Sequence, residues 1–315
     1  MAKKVILDTD PGVDDAMAIF LAVVSPEIEL LGLTTIFGNA DVDVTTQNAL
    51  LLLELAGRQD IPVIKGAASP LVRPYAGPVP HVHGDNGLGN AVLPAIEGSA
   101  KSIEVADWVY QQASEAPGEI TMLTVGPVTN LAIAFKKYPD LVDLLREVVV
   151  MGGNADIPGN ITPAAEANIY NDPEAADLVL GTSCPTTMVG LDVTHQVNMT
   201  GEEIRMISGG GKRLNQFLGE IIPLYQAFFE ATNGIDGIYL HDPTAVMYLI
   251  APELFKTIDC PMRVETESFS RGKTWPNFGG TDHDSPEAWE NRPRVSIGMQ
   301  VDHKAVIQEV IARLS

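Results

Sequence analysis

The chain predicts an α/β fold: one layered domain over residues 1–315, with a mostly parallel central sheet flanked by helices. Three observations carry that expectation. Short β-rich runs alternate with helical apolar patterns for most of the length, as successive βαβ units do. The run from Val148 to Met151 is continuously apolar, which suits a strand covered by helices on both faces. No low-complexity linker, charge block or internal repeat divides the 315 residues.

The elements follow in order. "KVILDT" (4–9) reads as the first strand, and "DDAMAIFLAVVS" (14–25) as a helix by its apolar spacing. "IELLGLTTIF" (28–37) and "IPVIKG" (61–66) are strands around the helical "DVTTQNALLLLELAG" (43–57). Then come the helical "IEVADWVYQQASE" (103–115), the strand "ITMLTV" (120–125), the helical "NLAIAFKKY" (130–138), and the strands "EVVVMGG" (147–153) and "TTMVGL" (186–191). From residue 201 the pattern is helical to about Thr232, and "DPTAVMYLIAP" opens a helix with Asp242 and Pro243 in its first turn. The last third predicts a hairpin around "SFSRGKTWPNF", a strand near "PRVSIGMQ" and a closing helix from Asp302.

In open α/β sheets ligands bind beyond the carboxyl ends of the strands. That rule gathers residues 8–15, 38–39, 125–127 and 151–154 at one rim. The formal net charge of −21, from 41 acidic against 20 basic residues, repels phosphate backbones and anionic bilayers, so neither nucleic acid nor membrane is an expected partner. Uncharged nucleosides are not excluded. Cys184 and Cys260 alone make no disulfide framework, and "MAKK" runs straight into a strand without an apolar signal, so a cytoplasmic protein is expected.

Asp8, Asp10, Asp14 and Asp15 crowd around one Pro-Gly turn. One aspartate there would be a helix cap. Several, converging from a strand end and a helix start, offer the oxygen shell that a hard cation such as Ca²⁺ or Mg²⁺ takes. The EF-hand pattern is not met, because "DTDPGVDDAMAI" has glycine at its fifth position and no glutamate at its twelfth. Gly12 stands where aspartyl-nucleophile phosphatases want Thr or Val, and "SGGGKR" fails as a phosphate loop because Arg213 follows Lys212.

"DTDPGVDDAMAI" resembles the N-terminal signature of the nucleoside hydrolases, the inosine-uridine preferring family that cleaves the N-glycosidic bond of ribonucleosides. The resemblance extends through "TTIFGNA", "VHGDNGLGN", "LTVGPVTNLA", "VVMGGN", "GNITPAAEANIYNDPEAA" and "YLHDPTAV", in that order and over nearly the whole chain. It implies a Rossmann-like single domain, homodimers or homotetramers, and one Ca²⁺ at the bottom of each pocket. By motif, Asp10, Asp15 and Asp242 are the carboxylate ligands, with the main-chain oxygen of Val125 as another.

The chemistry agrees with the resemblance. The vicinal hydroxyls of ribose can complete a hard cation's shell, and the same cation acidifies water beside Asp10, the implied general base. Attack opposite the departing base predicts inversion at the anomeric carbon. Asn160, Glu166 and Asn168 are the implied ribose clamp, with Asp14 and Asn39 assisting and Met151 on the same rim. Read alone, Asn and Glu in this Pro/Gly-rich loop are turn residues.

His241, next to Asp242, is the implied acid for the leaving base, a feature of inosine-uridine or pyrimidine-preferring members. His83 is expected to line the base pocket on a mobile loop, and His81 to be ordinary surface. With no third nitrogen or sulfur ligand, the two make no zinc site. Phe228, with Tyr225 and Phe229, offers aromatic surface to a base. Two other readings use the same residues: a hydrolase of another N-riboside such as nicotinamide riboside, and a non-catalytic nucleoside- or ribose-binding protein.

Overall fold

A nine-stranded sheet runs through the computed structural model of the chain, which describes residues 2–279 and 287–315. In chain order the strands are β1 (Lys3–Thr9), β2 (Ile28–Thr35), β3 (Val63–Lys65), β4 (Ile120–Thr124), β5 (Glu147–Met151), β6 (Thr186–Val189), β7 (Asn198–Met199), β8 (Ile238–Tyr239), β9 (Phe255–Val264), β10 (Thr274–Pro276) and β11 (Arg294–Val301). Across the sheet the order is β10-β9-β11-β6-β5-β4-β1-β2-β3, while β7 and β8 pair separately. The pairings from β3 through β6 to β11 are parallel; β9 is antiparallel to β11, and β10 to β9.

All six strands expected between residues 4 and 191 are present, and β11 is the strand expected near 293–300. The order β3-β2-β1-β4-β5-β6 reverses direction at β1, so the crevice beyond β1 and β4 is the topological switch point where α/β sheets bind ligands. The hairpin lies where the sequence places it, but its two strands are very unequal. Residues 268–273 form the turn, β10 keeps only three residues, and the partner is the ten-residue β9, which the pattern does not reveal. Pro261 and the exposed Lys256, Thr257 and Asp259 break the apolar alternation. This is tolerated near a sheet edge, where one face can meet water.

Alternation on β1 separates two cores. Val5 and Leu7 pack with the helices Val13–Val24, His241–Ile250 and His303–Leu314. Ile6 packs with the helices Val105–Glu115, Thr129–Lys137 and Pro173–Val179. Ile6, Leu7, Phe20 and Leu52 are wholly buried, and each side chain of this size contributes about 1.5–3 kcal/mol by leaving water. Two flanking layers therefore hold the strand ends, and the loops beyond them, on a stiff frame. Among the described residues no helix is long and apolar enough to cross a membrane.

Candidate active site

β1 ends at Thr9, and the chain turns through residues 10–12 into the helix Val13–Val24, whose first turn carries Asp14 and Asp15 toward the positive helix end. Asp15 organises the turn. Its Oδ1 accepts the Thr9 hydroxyl at 2.5 Å and the Asp10 amide at 3.2 Å; its Oδ2 accepts the Gly12 amide at 2.9 Å and the Asn39 side-chain amide at 3.0 Å. Asp10 Oδ2 accepts the Asn39 backbone N–H at 2.7 Å. Gly38 permits that approach, since a Cβ there would sit 2.0 Å from Asp10 Oδ2.

The other oxygens are what a cation needs. Asp10 Oδ1 and Asp14 Oδ1 are buried and find no hydrogen-bond partner among the described residues, and Asp14, Asp15 and Asp242 bring carboxylate oxygens within 4.8 Å of one another. None of the four residues is more than 6 % exposed. Burial, reinforced by mutual repulsion, holds Asp10 and Asp242 well above the ordinary carboxylate range. Burial also pushes Asp14 and Asp15 up to about 6, Asp14 adding repulsion to Asp15. An all-oxygen set whose members repel one another and leave buried atoms unpaired fits a hard divalent cation.

Of the residues the sequence assigns to a metal, Asp15 and Asp242 therefore come together directly, joined by Asp14. Asp10 lies beside them, tied in through Asp15 and Asn39. Val125, at the end of β4, has its N–H on the Asp8 carbonyl at 2.8 Å, and its own carbonyl accepts from Asn168 Nδ2 at 2.8 Å. Asp8 itself does not orient the turn. Its Oδ1 accepts the Thr34 hydroxyl and, at 2.7 Å, the Asn130 amide, and burial lifts its carboxyl to about 7.

The segment after β5 supplies the facing wall. Glu166 caps the helix Ala167–Asn171: Oε1 accepts from the Asn168 N–H at 2.8 Å, and Oε2 from those of Gly153 at 2.9 Å and Ile169 at 3.1 Å. Asn160 is exposed, with Oδ1 on the Ala167 N–H at 3.0 Å, and Asn168 also donates to the Met151 carbonyl at 3.2 Å. These residues are thus turn and cap groups and pocket walls at once. Asn160, Glu166, Asn168, Met151 and Val125 line one cavity of about 540 Å³ together with Asp14, Asn39, His83, Phe228, His241 and Asp242. Asp10 and Asp15 are not part of that lining.

Aromatic rings close the other end. Tyr225, Phe228 and Phe229 come from the helix Arg213–Asn233, and Tyr225 lies 4.8 Å from Phe229, ring centre to ring centre. His241 lies 6.1 Å from Phe229, with Nδ1 2.8 Å from the Thr194 hydroxyl, and burial lowers its pKa to about 3. His195 also lines the cavity, 5.5 Å from His241, although nothing in "LDVTHQ" marks it. His81 is not bland surface: it lines the cavity and meets Phe228 edge-on at 6.0 Å.

His83 is buried in a short helix, Pro80–His83, and stacks on Tyr225 at 5.3 Å. The Val13 N–H donates to its Nδ1 at 3.1 Å, so Nε2 carries the ring proton and the imidazole acts as the missing cap of the helix Val13–Val24. His83→Ala is expected to orphan that buried N–H, at about 1–3 kcal/mol, and to lower Tm. His83→Gln, which restores an acceptor, recovers part of the loss. An unchanged Tm for the alanine variant would count against the cap.

Residues 5–308 match the family model described as inosine-uridine preferring nucleoside hydrolase. A probable uridine nucleosidase of Arabidopsis thaliana is 39 % identical over 313 residues, spanning 99 % of this chain and 97 % of that protein. The pyrimidine-specific ribonucleoside hydrolase RihA of Shewanella baltica is 39 % identical over 269 residues, 85 % of this chain and 84 % of its own. A solved plant nucleoside hydrolase superposes with a TM-score of 0.97 at 37 % identity, covering 100 % of this chain and 99 % of that one. A purine-preferring ribonucleoside hydrolase from Gardnerella vaginalis superposes with 0.91 at 32 % identity, covering 99 % and 98 %. With the signature aspartates gathered at the switch point of the same fold, the chain belongs to the inosine-uridine preferring nucleoside hydrolase family.

Proposed function

We propose that this nucleoside hydrolase releases free base and ribose from ribonucleosides of the inosine, uridine and cytidine type, with Ca²⁺ held by Asp10, Asp15, Asp242 and the Val125 carbonyl. The observation that carries the reading is the buried Oδ1 of Asp10, a carboxylate oxygen that no group among the described residues satisfies. When bound, the cation supplies a Lewis acid that orients ribose hydroxyls and acidifies water. Asp10 Oδ1 takes the proton of the attacking water, while Oδ2 stays fixed on the Asn39 N–H. Attack on the face opposite the leaving base inverts the anomeric carbon.

Asp14, Asn39, Asn160, Glu166 and Asn168 hold the sugar, because a polyhydroxylated ligand needs several oriented donors and acceptors. At the aromatic end Phe228 packs on the base, His83 lines its edge, and Met151 fills the floor. The Thr194 hydroxyl and His241 Nδ1 lie 2.8 Å apart, and in the role proposed here the hydroxyl is the donor, which leaves the ring proton on Nε2 for the departing base.

The test is release of reducing sugar by purified protein with added Ca²⁺ from inosine, uridine, cytidine and adenosine; no release from any of them ends the reading. On the same panel His241→Ala is expected to lose about 10²–10⁴-fold, unequally among bases. A 4-nitrophenyl riboside, whose leaving group needs no proton, should be spared. A uniform loss across the panel and the reporter would remove His241 from the acid role.

A further inference from the structure

The hairpin turn between β9 and β10 has no part in the chemistry above, yet its last residues, Arg271 to Lys273, are buried against the segment that carries the sugar-holding groups. Arg271 Nη1 donates to the Tyr170 carbonyl at 2.7 Å, and Nη2 to Glu174 at 3.2 Å. Gly272, at φ +85°, lies so close to the segment that a Cβ would come within 2.8 Å of Tyr170 Cα and 2.9 Å of Ala165 Cβ. Lys273, 8 % exposed, donates to the carbonyls of Asn154 at 2.7 Å and Ala155 at 3.2 Å. Thr274, wholly buried, accepts the Asn154 N–H at 2.9 Å and donates to the Asn154 carbonyl at 2.7 Å.

Asn154 passes this grip onward. Its side-chain amide donates to the carbonyls of Ile157 at 2.7 Å and Ala164 at 3.0 Å, the two ends of the loop that holds Asn160. From the helix Leu191–Thr194, Asp192 accepts the N–H groups of Ala155 at 2.6 Å and Asp156 at 2.8 Å. The peptides of residues 154–156 are therefore held between an ammonium on their carbonyls and a carboxylate on their amides. Arg271 holds the helix Ala167–Asn171, which carries Asn168, through its Tyr170 carbonyl.

A buried ammonium is costly unless its hydrogen bonds are made, and charge-assisted bonds are about twice as strong as neutral ones. A lysine spent on two backbone carbonyls there marks a segment whose position matters. We propose that the turn residues Arg271 and Lys273 and the first residue of β10, Thr274, are positioning residues for sugar recognition, with Lys273 and Thr274 setting the place of the Asn160 loop through Asn154. The inference rests on the ribonucleoside reading above. Neither Lys273 nor Thr274 lines the cavity, so their hydrogen bonds reach the sugar-holding loop through Asn154 and Ala155.

The test is calorimetric binding of D-ribose to the Ca²⁺-loaded protein, alongside steady-state kinetics with uridine, for Lys273→Met, Thr274→Val and Thr274→Ser. Expected are a ribose Kd and a uridine KM raised about tenfold in Lys273→Met and about threefold in Thr274→Val, the size of lost hydrogen bonds. The loss in kcat should be smaller, Ca²⁺ affinity should be unchanged, and Thr274→Ser, which keeps the hydroxyl, should recover most of the affinity. Should Lys273→Met not fold, the two threonine variants decide. A lowered Tm with wild-type ribose Kd and KM would overturn the proposal, as a merely structural role would. If the wild type hydrolyses no nucleoside, the functional reading falls on that result, while the ribose Kd ratios still decide the inference.

Discussion

Asp10→Asn is expected to lower kcat for uridine by about 10²–10⁴-fold, the span of a general base, while changing KM only a few-fold. The variant is chosen for its geometry. Asparagine keeps an oxygen for the Asn39 N–H, which Asp10 Oδ2 accepts at 2.7 Å, and places an amide where the unpartnered Oδ1 stands. The turn is preserved, while Oδ1 is lost both as proton acceptor and as a carboxylate oxygen for the cation, so the rates are compared at saturating Ca²⁺. Alanine would also orphan the Asn39 N–H and open a void beside Gly38, mixing stability with chemistry. Single-turnover and steady-state rates, with uridine binding measured separately, check the point. Equal losses in binding and turnover would remove the general-base role.

Chelation is expected to have the second large effect, abolishing turnover and lowering Tm together. A ligand that binds only the folded form at 100 times its Kd stabilises by about 2.7 kcal/mol, and here its loss also leaves four buried aspartates facing one another. The pH dependence of the cation-free protein has a definite sign. Asp14 and Asp15 titrate near 6 in the folded form, above the value of 3.8 for a free aspartate, so the folded protein keeps protons that the unfolded chain has released. Asp8, Asp10 and Asp242, also raised by burial, add to this and outweigh the opposite contribution of His83 and His241, which burial keeps neutral, so stability falls as pH rises from about 4 to beyond 6. Calcium favours the ionised carboxylates and opposes that fall. Tm measured at pH 5 and 7.5, with chelator and with excess calcium, tests this. Indifference of both Tm and activity to chelation would contradict the cation site.

The carboxylate cluster was legible in sequence because it is local. Asp8, Asp10, Asp14 and Asp15 lie within one strand end and one helix turn, and the repulsion among them follows from spacing alone. The division among them was not legible. Asp8 bonds Thr34, on β2, and Asn130, 122 positions away, so its carboxylate serves the seam between a strand and a helix. The tightest carboxylate grouping likewise joins Asp14 to Asp15 and Asp242, with Asp10 beside it, because side-chain convergence depends on how the helix Val13–Val24 sits against the helix carrying Asp242. His83 as a helix cap joins residues 70 apart, and His195 reaches the cavity only because β6 ends beside β5.

By itself the sequence determined the α/β class, the strands from β1 to β6, the rim at which they end and the signature that marks the family. These rest on apolar periodicity and on spacing within short segments, which the chain carries whatever surrounds it. Only the tertiary structure decided that β9 is a strand, that a lysine from the following turn and a threonine of β10 hold Asn154, and which carboxylate oxygens lie buried and unpaired. Those outcomes depend on which groups far apart in sequence come to share one buried space, where each polar atom must find a partner or a cation.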